Sequence, residues 1–305
     1  MSLVVNTNIA SMNAQRSLMA SSKELQSAME RLSTGKKINS AADDAAGFAI
    51  AENMTAQVRG LSMAAKNAND GLGLLKVVEN ATNDVTDMLQ RIRELAVQAQ
   101  SGTNSQSDID NLQLEANALI DEIGRVSEDT TYNNTAYLGS GASTTINIQV
   151  GYNDGDTITL QTYNIKAENL GVNVTDEDSA DATATVLVAL KDANGNYLQL
   201  DQMATAADDG ITDRVPGALE VISAAIDQVA SYKAEWGAGQ NRLEYTVSNL
   251  MNVVEFTTAA QSRIQDADFA VEAARLAKAQ VLQQTGTAML AQANAAPQIA
   301  LQLLK

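Results

Sequence analysis

The 305-residue sequence contains no cysteine, no histidine and only two prolines, Pro216 and Pro297. Without cysteine there is no disulfide framework and no thiolate nucleophile. Without histidine the commonest zinc ligand and the usual acid–base side chain are gone. Most hydrolase and metalloenzyme classes fall with them, and no cofactor is expected. A sequence of this length would ordinarily carry about fifteen prolines. Their scarcity, with abundant alanine, leucine, glutamine and asparagine, favours long helices. Phe, Trp and Tyr make up only 4% of the residues, so thin helices packed closely are expected rather than a bulky aromatic core. The opening stretch "MSLVVNTNIASMNAQRSLMASS" lacks a basic region followed by an apolar core, and so is not a cleavable secretory signal. No run of about 18 apolar residues exists, so no membrane span is expected. These absences leave open export by a dedicated machine that needs no such signal.

The formal net charge is −17. It is unevenly spread: residues 1–44 and residues 261–305 each carry +1, which leaves −19 for the middle. An acidic middle repels nucleic acid and anionic membranes, so neither is expected as a partner. Near-neutral ends can pack densely against copies of themselves.

Apolar residues recur at helical spacing in the first segment, on Val5, Ile9, Met12, Leu18, Leu25, Met29 and Leu32. They form one narrow stripe. Gly35 is expected to end this helix, with Lys36 and Lys37 just beyond it. Asn39 or Ser40 is expected to cap the next helix, placing Asp43 and Asp44 in its first turn, where negative charge is favoured. A metal site at the paired aspartates would need further converging oxygen ligands, and the local sequence offers none. From about Ala45 to Gln100 the pattern is helical. Its second half is a heptad on Leu74, Val78, Ala81, Val85, Met88, Ile92, Leu95 and Ala99. After the turn "SGTNSQSD", another helix is expected on Ile109, Leu112, Ala116, Leu119, Ile123 and Val126.

The texture changes near Asn133. "TTINIQV", "GYNDGD" and "TITLQTY" read as strand, turn and strand. Residues 165–182 are polar and irregular, and "ATATVLVAL" and "YLQL" suggest a second hairpin around Asn194-Gly195. After Pro216 a long helix returns. Leu219, Ile222, Ile226, Val229, Lys233, Trp236, Gln240, Leu243, Val247, Leu250, Val254, Thr257, Gln261 and Ile264 alternate in steps of three and four. A last helix continues on Phe269, Ala273, Leu276, Leu282 and Leu290, with Gly286 and Pro297 weakening its tail. The order is palindromic, so the polypeptide is expected to go out and return with its terminal helices paired. A narrow stripe on each would leave apolar surface for other copies.

Motifs for chemistry fail on inspection. "STGKK" lacks the earlier glycine and the Ser or Thr of a phosphate-binding loop. "NDGD" and "DANGN" lack the spacing and distal Glu of a calcium loop and read as turns. "NNT" and "NVT" match a glycosylation pattern that arises readily by chance.

The blocks "NTNIASMNAQRSL", "RLSTGKKINSAADDAAGFAIAENM", "NANDGLGLLKVVENA", "LQRIRELAVQAQSGTNS" and "YNNT" resemble the N-terminal part of bacterial flagellin. "TTAAQSRIQDADFAVEAARLAKAQVLQQTGTAMLAQANAAPQIALQLL" resembles its C-terminal part. The resemblance covers residues 1–160 and about 215–305 and implies a short member with a reduced variable region. It implies a mainly α fold with a small β part: long antiparallel helices in coiled-coil-like packing, paired terminal helices and β-hairpins in the middle, elongated and assembling into a helical filament. Residues 1–44 with 261–305 would be an inner coiled-coil core lining the filament channel. Residues 45–164 with 215–260 would form the outer tube, and 165–214 a short solvent-facing segment.

The family's function implies a self-assembling propeller subunit, secreted unfolded by type III export. Its partners would be an export chaperone, the filament cap and hook-junction proteins. The inner-core packing residues would include Ile9, Met12, Leu18, Leu25, Leu32, Phe269, Leu276 and Leu290. Gly35, Asn39, Asp43 and Asp44 would belong to the linker between inner helix and outer tube. Arg91, Leu95 and Glu115 match a surface that the vertebrate flagellin-sensing Toll-like receptor reads. Ser140, Ser143 and Thr183 are candidates for glycans. The alternative is a hook–filament junction or adaptor protein of the same system; an enzyme is not expected.

Overall fold

The computed structural model describes residues 8–139, 144–176, 184–192, 194–202 and 216–303, with backbone alone for 173–176, 184–186 and 296–303. The elements are α1 (Ile9–Thr34), α2 (Ala45–Ala99), α3 (Gln106–Asp129), β1 (Thr131–Tyr132), β2 (Thr135–Ala136), β3 (Thr144–Gln149), β4 (Thr157–Thr162), β5 (Gly171–Asp176), β6 (Ala184–Ala189), α4 (Ala218–Gln265) and α5 (Phe269–Leu303). The mainly helical fold with small β-hairpins agrees with the sequence. There are two compact units: Met1–Arg59 with Asn252–Lys305, and Gly60–Met251.

The larger unit holds the apolar core. On α2 the expected heptad is buried at every position but Met88, which is partly buried. A second column lies beside it: Ala68, Leu75, Thr82, Leu89 and Ala96, all at seven-residue spacing and all buried. Two adjacent columns make a broad buried face, wider than a coiled-coil seam. Thr82 tolerates this position because its hydroxyl donates to the Val78 and Glu79 carbonyls, at 2.9 and 2.8 Å. Helix α3 opens on a capping box in which Ser105 and Asp108 satisfy each other's backbone N–H. It adds Ala116, Ile120 and Ile123 to the core. Every residue of the expected α4 series within this unit, Leu219 to Leu250, is buried or partly buried.

Among the described residues, three antiparallel hairpins complete the unit. The β3–β4 hairpin is as expected, pairing Thr144 with Thr162 through Gln149 with Thr157. Its residues Ile148, Ile158 and Leu160 join the core. The small β1–β2 hairpin has no counterpart among the expectations. Asn133 and Asn134 at its turn have φ of 50° and 61°, the signature of a tight hairpin turn that asparagine accepts. The second expected hairpin is corrected. Strand β6 pairs with β5, Gly171 against Ala189, so its partner comes from the segment read as irregular. The Asn194-Gly195 turn does form, closed by the isolated bridge Lys191–Tyr197. The alternation of β5 is hidden by its Gly, Asn, Thr and Asp residues, several of which are poor strand formers.

Gly171 explains why that strand begins where it does. A Cβ there would lie 2.0 Å from the Val188 carbonyl oxygen. Gln228 of α4 meets this buried residue on both sides, accepting from Gly171 N at 3.2 Å and donating to Gly171 O at 2.9 Å. Gly171→Val is therefore predicted to prevent the β5–β6 pairing and to destabilise the unit by about 2–3 kcal/mol. Urea denaturation followed by circular dichroism measures it; an unchanged midpoint would refute this role for Gly171.

The smaller unit is built differently. It pairs α1 with α5 and includes the first turns of α2 and the last of α4. Among the described residues its buried apolar side chains are only Ala28, Ile38, Ala51 and Ala279. Helix α5 continues through Gly286 and Pro297, the two positions expected to weaken its tail, to Leu303. Gly286 has a packing role: a Cβ there would sit 3.2 Å from Leu18 Cδ1.

Candidate functional site

The seam between α1 and α5 is made from small and polar side chains. Asn8 caps α1 by accepting from Ser11 N at 3.0 Å and donates to the Ala293 carbonyl at 2.7 Å. Ser11 Oγ donates to Asn294 Oδ1 at 2.7 Å. Leu18, Leu25, Leu32, Leu276 and Leu290 are half-buried. The rest of the expected apolar stripe departs from the seam. Ile9 is 64% exposed, Met12 55% and Phe269 66%. Serines, alanines and Gly286 let the two helices approach closely, and these three larger side chains lie outside the approach, exposed where the packing between copies expected of them would take place. Met19, Met29, Val281 and Met289 are exposed as well.

The end of α1 turns sharply into an ordered joint. Gly35 takes the left-handed C-cap conformation, φ 72°, and its N–H donates to the Arg31 carbonyl at 2.9 Å. It terminates the helix as expected. The backbone then runs antiparallel to the end of α4. Lys37 N donates to the Gln265 carbonyl at 2.7 Å, and Ala267 N to the Gly35 carbonyl at 2.9 Å. A bridge pairs Lys36 with Asp266. Ile38 is the buried plug of this joint.

The expected cap is moved by four or five residues. Neither Asn39 nor Ser40 caps α2. Asp44 does, accepting from Gly47 N at 3.0 Å. Asp43 instead closes the preceding turn, accepting from Asn39 N at 3.2 Å and from Ser40 N and Oγ at 3.0 and 3.1 Å. The two aspartates, both outside the helix, let the backbone turn while keeping its polar groups satisfied. The Asn39 amide donates to the Lys36 carbonyl at 3.2 Å.

An ion-pair cluster ties the joint to α5. Arg31 Nη1 lies 3.3 Å from Glu272 Oε1, and Arg31 Nη2 lies 3.9 Å from Asp43 Oδ1. The Glu272 side chain is only 5% exposed, and Arg275 adds a second guanidinium at 2.8 Å. Arg31 Nε is buried without a hydrogen-bond partner. Sequence reading does not find this pair, whose members stand 241 residues apart. Asp268 caps α5, accepting from Ala270 N and Val271 N at 2.9 and 3.3 Å.

Hydrogen bonds from the Ser40 and Asn39 backbones, then from the Ser40 hydroxyl, hold the Asp43 carboxyl below its ordinary value; Arg31 adds a weaker pull in the same direction. A carboxyl lowered in the folded state contributes stability that is present above its unfolded value and is lost as pH falls through the folded value. The joint is therefore predicted to loosen under acid below about pH 4. Asp43→Asn should flatten that acid dependence in amide exchange of residues 36–44. An identical acid profile in wild type and variant would refute it.

On the larger unit Arg91 and Glu115 come together at the surface. Arg91 Nε donates to Glu115 Oε1 at 2.9 Å, and Arg91 Nη1 to Glu94 Oε2 at 3.0 Å. These two carboxylates raise the Arg91 pKa, Glu94 foremost. Leu95 does not join them: it is 1% exposed, inside the helical core. Its heptad position dictates that burial. Ser140, Ser143 and Thr183 lie outside the described residues. Among the described residues, no helix is long and apolar enough to cross a membrane, and no three acidic side chains converge as a metal site would require.

The family model of the bacterial flagellin N-terminal helical region matches residues 5–144, and that of the C-terminal helical region matches residues 219–304. A flagellin of Xenorhabdus nematophila is 42% identical over 314 residues, an alignment that covers 100% of both proteins. A flagellin of Bacillus subtilis (strain 168) is 39% identical over 312 residues, covering 99% of each. Flagellin A of Vibrio anguillarum is 35% identical over 380 residues, again covering 100% of both.

Proposed function

This protein belongs to the bacterial flagellin family and is a structural subunit of the extracellular flagellar filament, not an enzyme; from that premise we propose that its smaller unit is the inner packing core of the filament. Filament subunits assemble with copies of themselves, so the question is which surface does so. One observation carries the reading. Of the seventeen large apolar side chains exposed among the described residues, eleven belong to the smaller unit, which buries only four apolar residues of its own. A unit with its apolar groups outside lacks a core until neighbours supply one.

In this reading Ile9, Met12 and Phe269 pack against neighbouring copies, while Leu18, Leu25, Leu32, Leu276 and Leu290 serve both the α1–α5 seam and its surroundings. Residues 1–44 with 261–305 form the channel-lining core, 45–164 with 215–260 the outer tube, and 165–214 the outward segment. Gly35, Asn39, Asp43 and Asp44 are the joint that links inner helix to tube. The near-neutral charge of the ends supports dense self-packing, since like charges would otherwise repel at short range.

The partners follow from the assembly route: an export chaperone that covers the apolar termini, the filament cap under which subunits fold, and the hook-junction proteins on which the filament starts. Secretion unfolded through the flagellar type III exporter suits a polypeptide without disulfides. Arg91 and Glu115 offer a polar, exposed surface for the flagellin-sensing Toll-like receptor, with Leu95 supporting it from beneath. Arg91→Ala is the clean test there, because it leaves the core intact; undiminished signalling would remove Arg91 from that surface.

Electron microscopy of the purified protein with filament seeds, beside a version lacking residues 1–44, tests the main reading. Long tubes from the intact protein and none from the truncation are expected. Tubes from both would overturn the inner-core role of α1.

A further inference from the structure

Asn194 is the one asparagine followed by glycine in the sequence. The structure sets this pair at the tip of an exposed turn, with Gly195 at φ 88° and open space around the position a Cβ would take. An asparagine side chain is most vulnerable to its own backbone where the next residue has no Cβ to shield the amide nitrogen. Asp192 shapes the turn. Its carboxylate accepts from Asn194 N at 2.9 Å, from Asn196 N at 2.7 Å and from Asn196 Nδ2 at 2.8 Å. Gly195 N donates to the Asp192 carbonyl at 3.0 Å, and this bond must open to free the nitrogen.

We propose that Asn194 is a site of spontaneous deamidation, which adds a negative charge to the turn as the protein ages. The Gly195 amide nitrogen loses its proton to hydroxide and attacks Asn194 Cγ. A C–N bond forms, the Cγ–Nδ2 bond breaks, and ammonia leaves after taking a proton from water. Water then opens the cyclic imide. Cleavage of the new C–N bond gives aspartate, whereas cleavage of the original peptide C–N bond gives isoaspartate. No oxidant, reductant or other protein is needed.

The position gives the change a consequence. The turn holds Lys191 and Tyr197, and both bind Asp121 of α3: Lys191 Nζ donates at 2.8 Å and Tyr197 Oη at 2.7 Å. Gln113 of α3 donates to the Leu198 carbonyl and accepts from Leu200 N, each at 2.9 Å. A new carboxylate beside Asp192 repels it, and isoaspartate lengthens the backbone between these anchors. Aged protein should therefore hold this turn to α3 less tightly.

The test incubates the full-length protein at mildly alkaline pH, folded and separately in urea, and follows peptides spanning residue 194 by mass spectrometry. The signal is exchange of an amide NH2 for OH, with isoaspartate detected by isoaspartyl methyltransferase. Asn196, followed by tyrosine in the same turn, is the internal control. Conversion of Asn194 in the folded protein at least about tenfold faster than Asn196, rising with pH and absent in Asn194→Gln, supports the proposal. Equal conversion of the two residues, or an intact Asn194 in folded protein after the urea-treated sample has converted, overturns it.

Discussion

A double substitution of Ile9→Glu and Phe269→Glu is expected to abolish filament growth while leaving the unfolding of the larger unit unchanged. Both side chains are largely exposed in the single subunit, so a glutamate at either place is hydrated and nearly silent in the monomer. Between copies the same carboxylates would be buried without partners. Removing such a charge from water costs several kcal/mol, and each 1.4 kcal/mol is about tenfold in affinity. The subunit concentration needed for growth on seeds should rise at least about a hundredfold. Light scattering gives that concentration, and circular dichroism melts give the stability. Growth at wild-type concentration would mean that these residues do not enter the packed interior.

The second large effect lies in the other unit and should be its mirror image. Trp236 is the sole tryptophan of the sequence and is buried in the core. Its Nε1 donates to the Gln161 carbonyl on β4 at 2.8 Å, tying α4 to the hairpin. Tyr163 and Tyr232 stack face to face with centroids 4.0 Å apart, and each ring lies within 6.3 Å of the indole. Tyr163 also donates to Glu235, which pushes its phenol pKa up to about 12, so the hydroxyl stays protonated as a donor. Trp236→Ala removes a large buried side chain, leaves the Gln161 carbonyl without its donor and loosens the stacked pair. A loss of about 3–5 kcal/mol is expected. Urea unfolding followed by circular dichroism measures it, and a loss below about 1 kcal/mol would refute the anchoring role.

Much of this architecture is legible in the sequence because period determines burial. The heptads of α2 and α4 are readable residue by residue, since a repeating apolar step of three and four leaves little choice of face. Gly35 is readable because a glycine after an apolar helix has a recognised backbone role. Reading fails where one stripe is assumed. The Ala68–Ala96 column escapes it because two of its members are alanine and one is Thr82, none of which looks like core in isolation. The α1–α5 seam is hard to read for a related reason: small residues allow its closest approach, while Ile9, Met12 and Phe269 are exposed.

Other features are out of reach for different reasons. The Arg31–Glu272 pair requires knowing that distant segments meet. The shift of the cap to Asp44 is a choice among four capping-type residues in six, which spacing alone does not decide. Strand β5 alternates only through Val172 and Val174, between Gly, Asn, Thr and Asp residues that hide the pattern. Leu95 shows two readings in competition: the heptad assigns it to the core and the family resemblance to a surface, and in the structure it is buried.

On the proposed reading, the smaller unit acquires its core only from neighbouring copies. Amide hydrogen exchange of residues 9–34 and 269–295, compared between dilute monomer and filament, tests it directly. Rapid exchange is expected in the monomer, because so few apolar groups are buried there, and strong protection in the filament, while α2 residues 74–99 are protected in both. Full protection of residues 9–34 in the dilute monomer would contradict it.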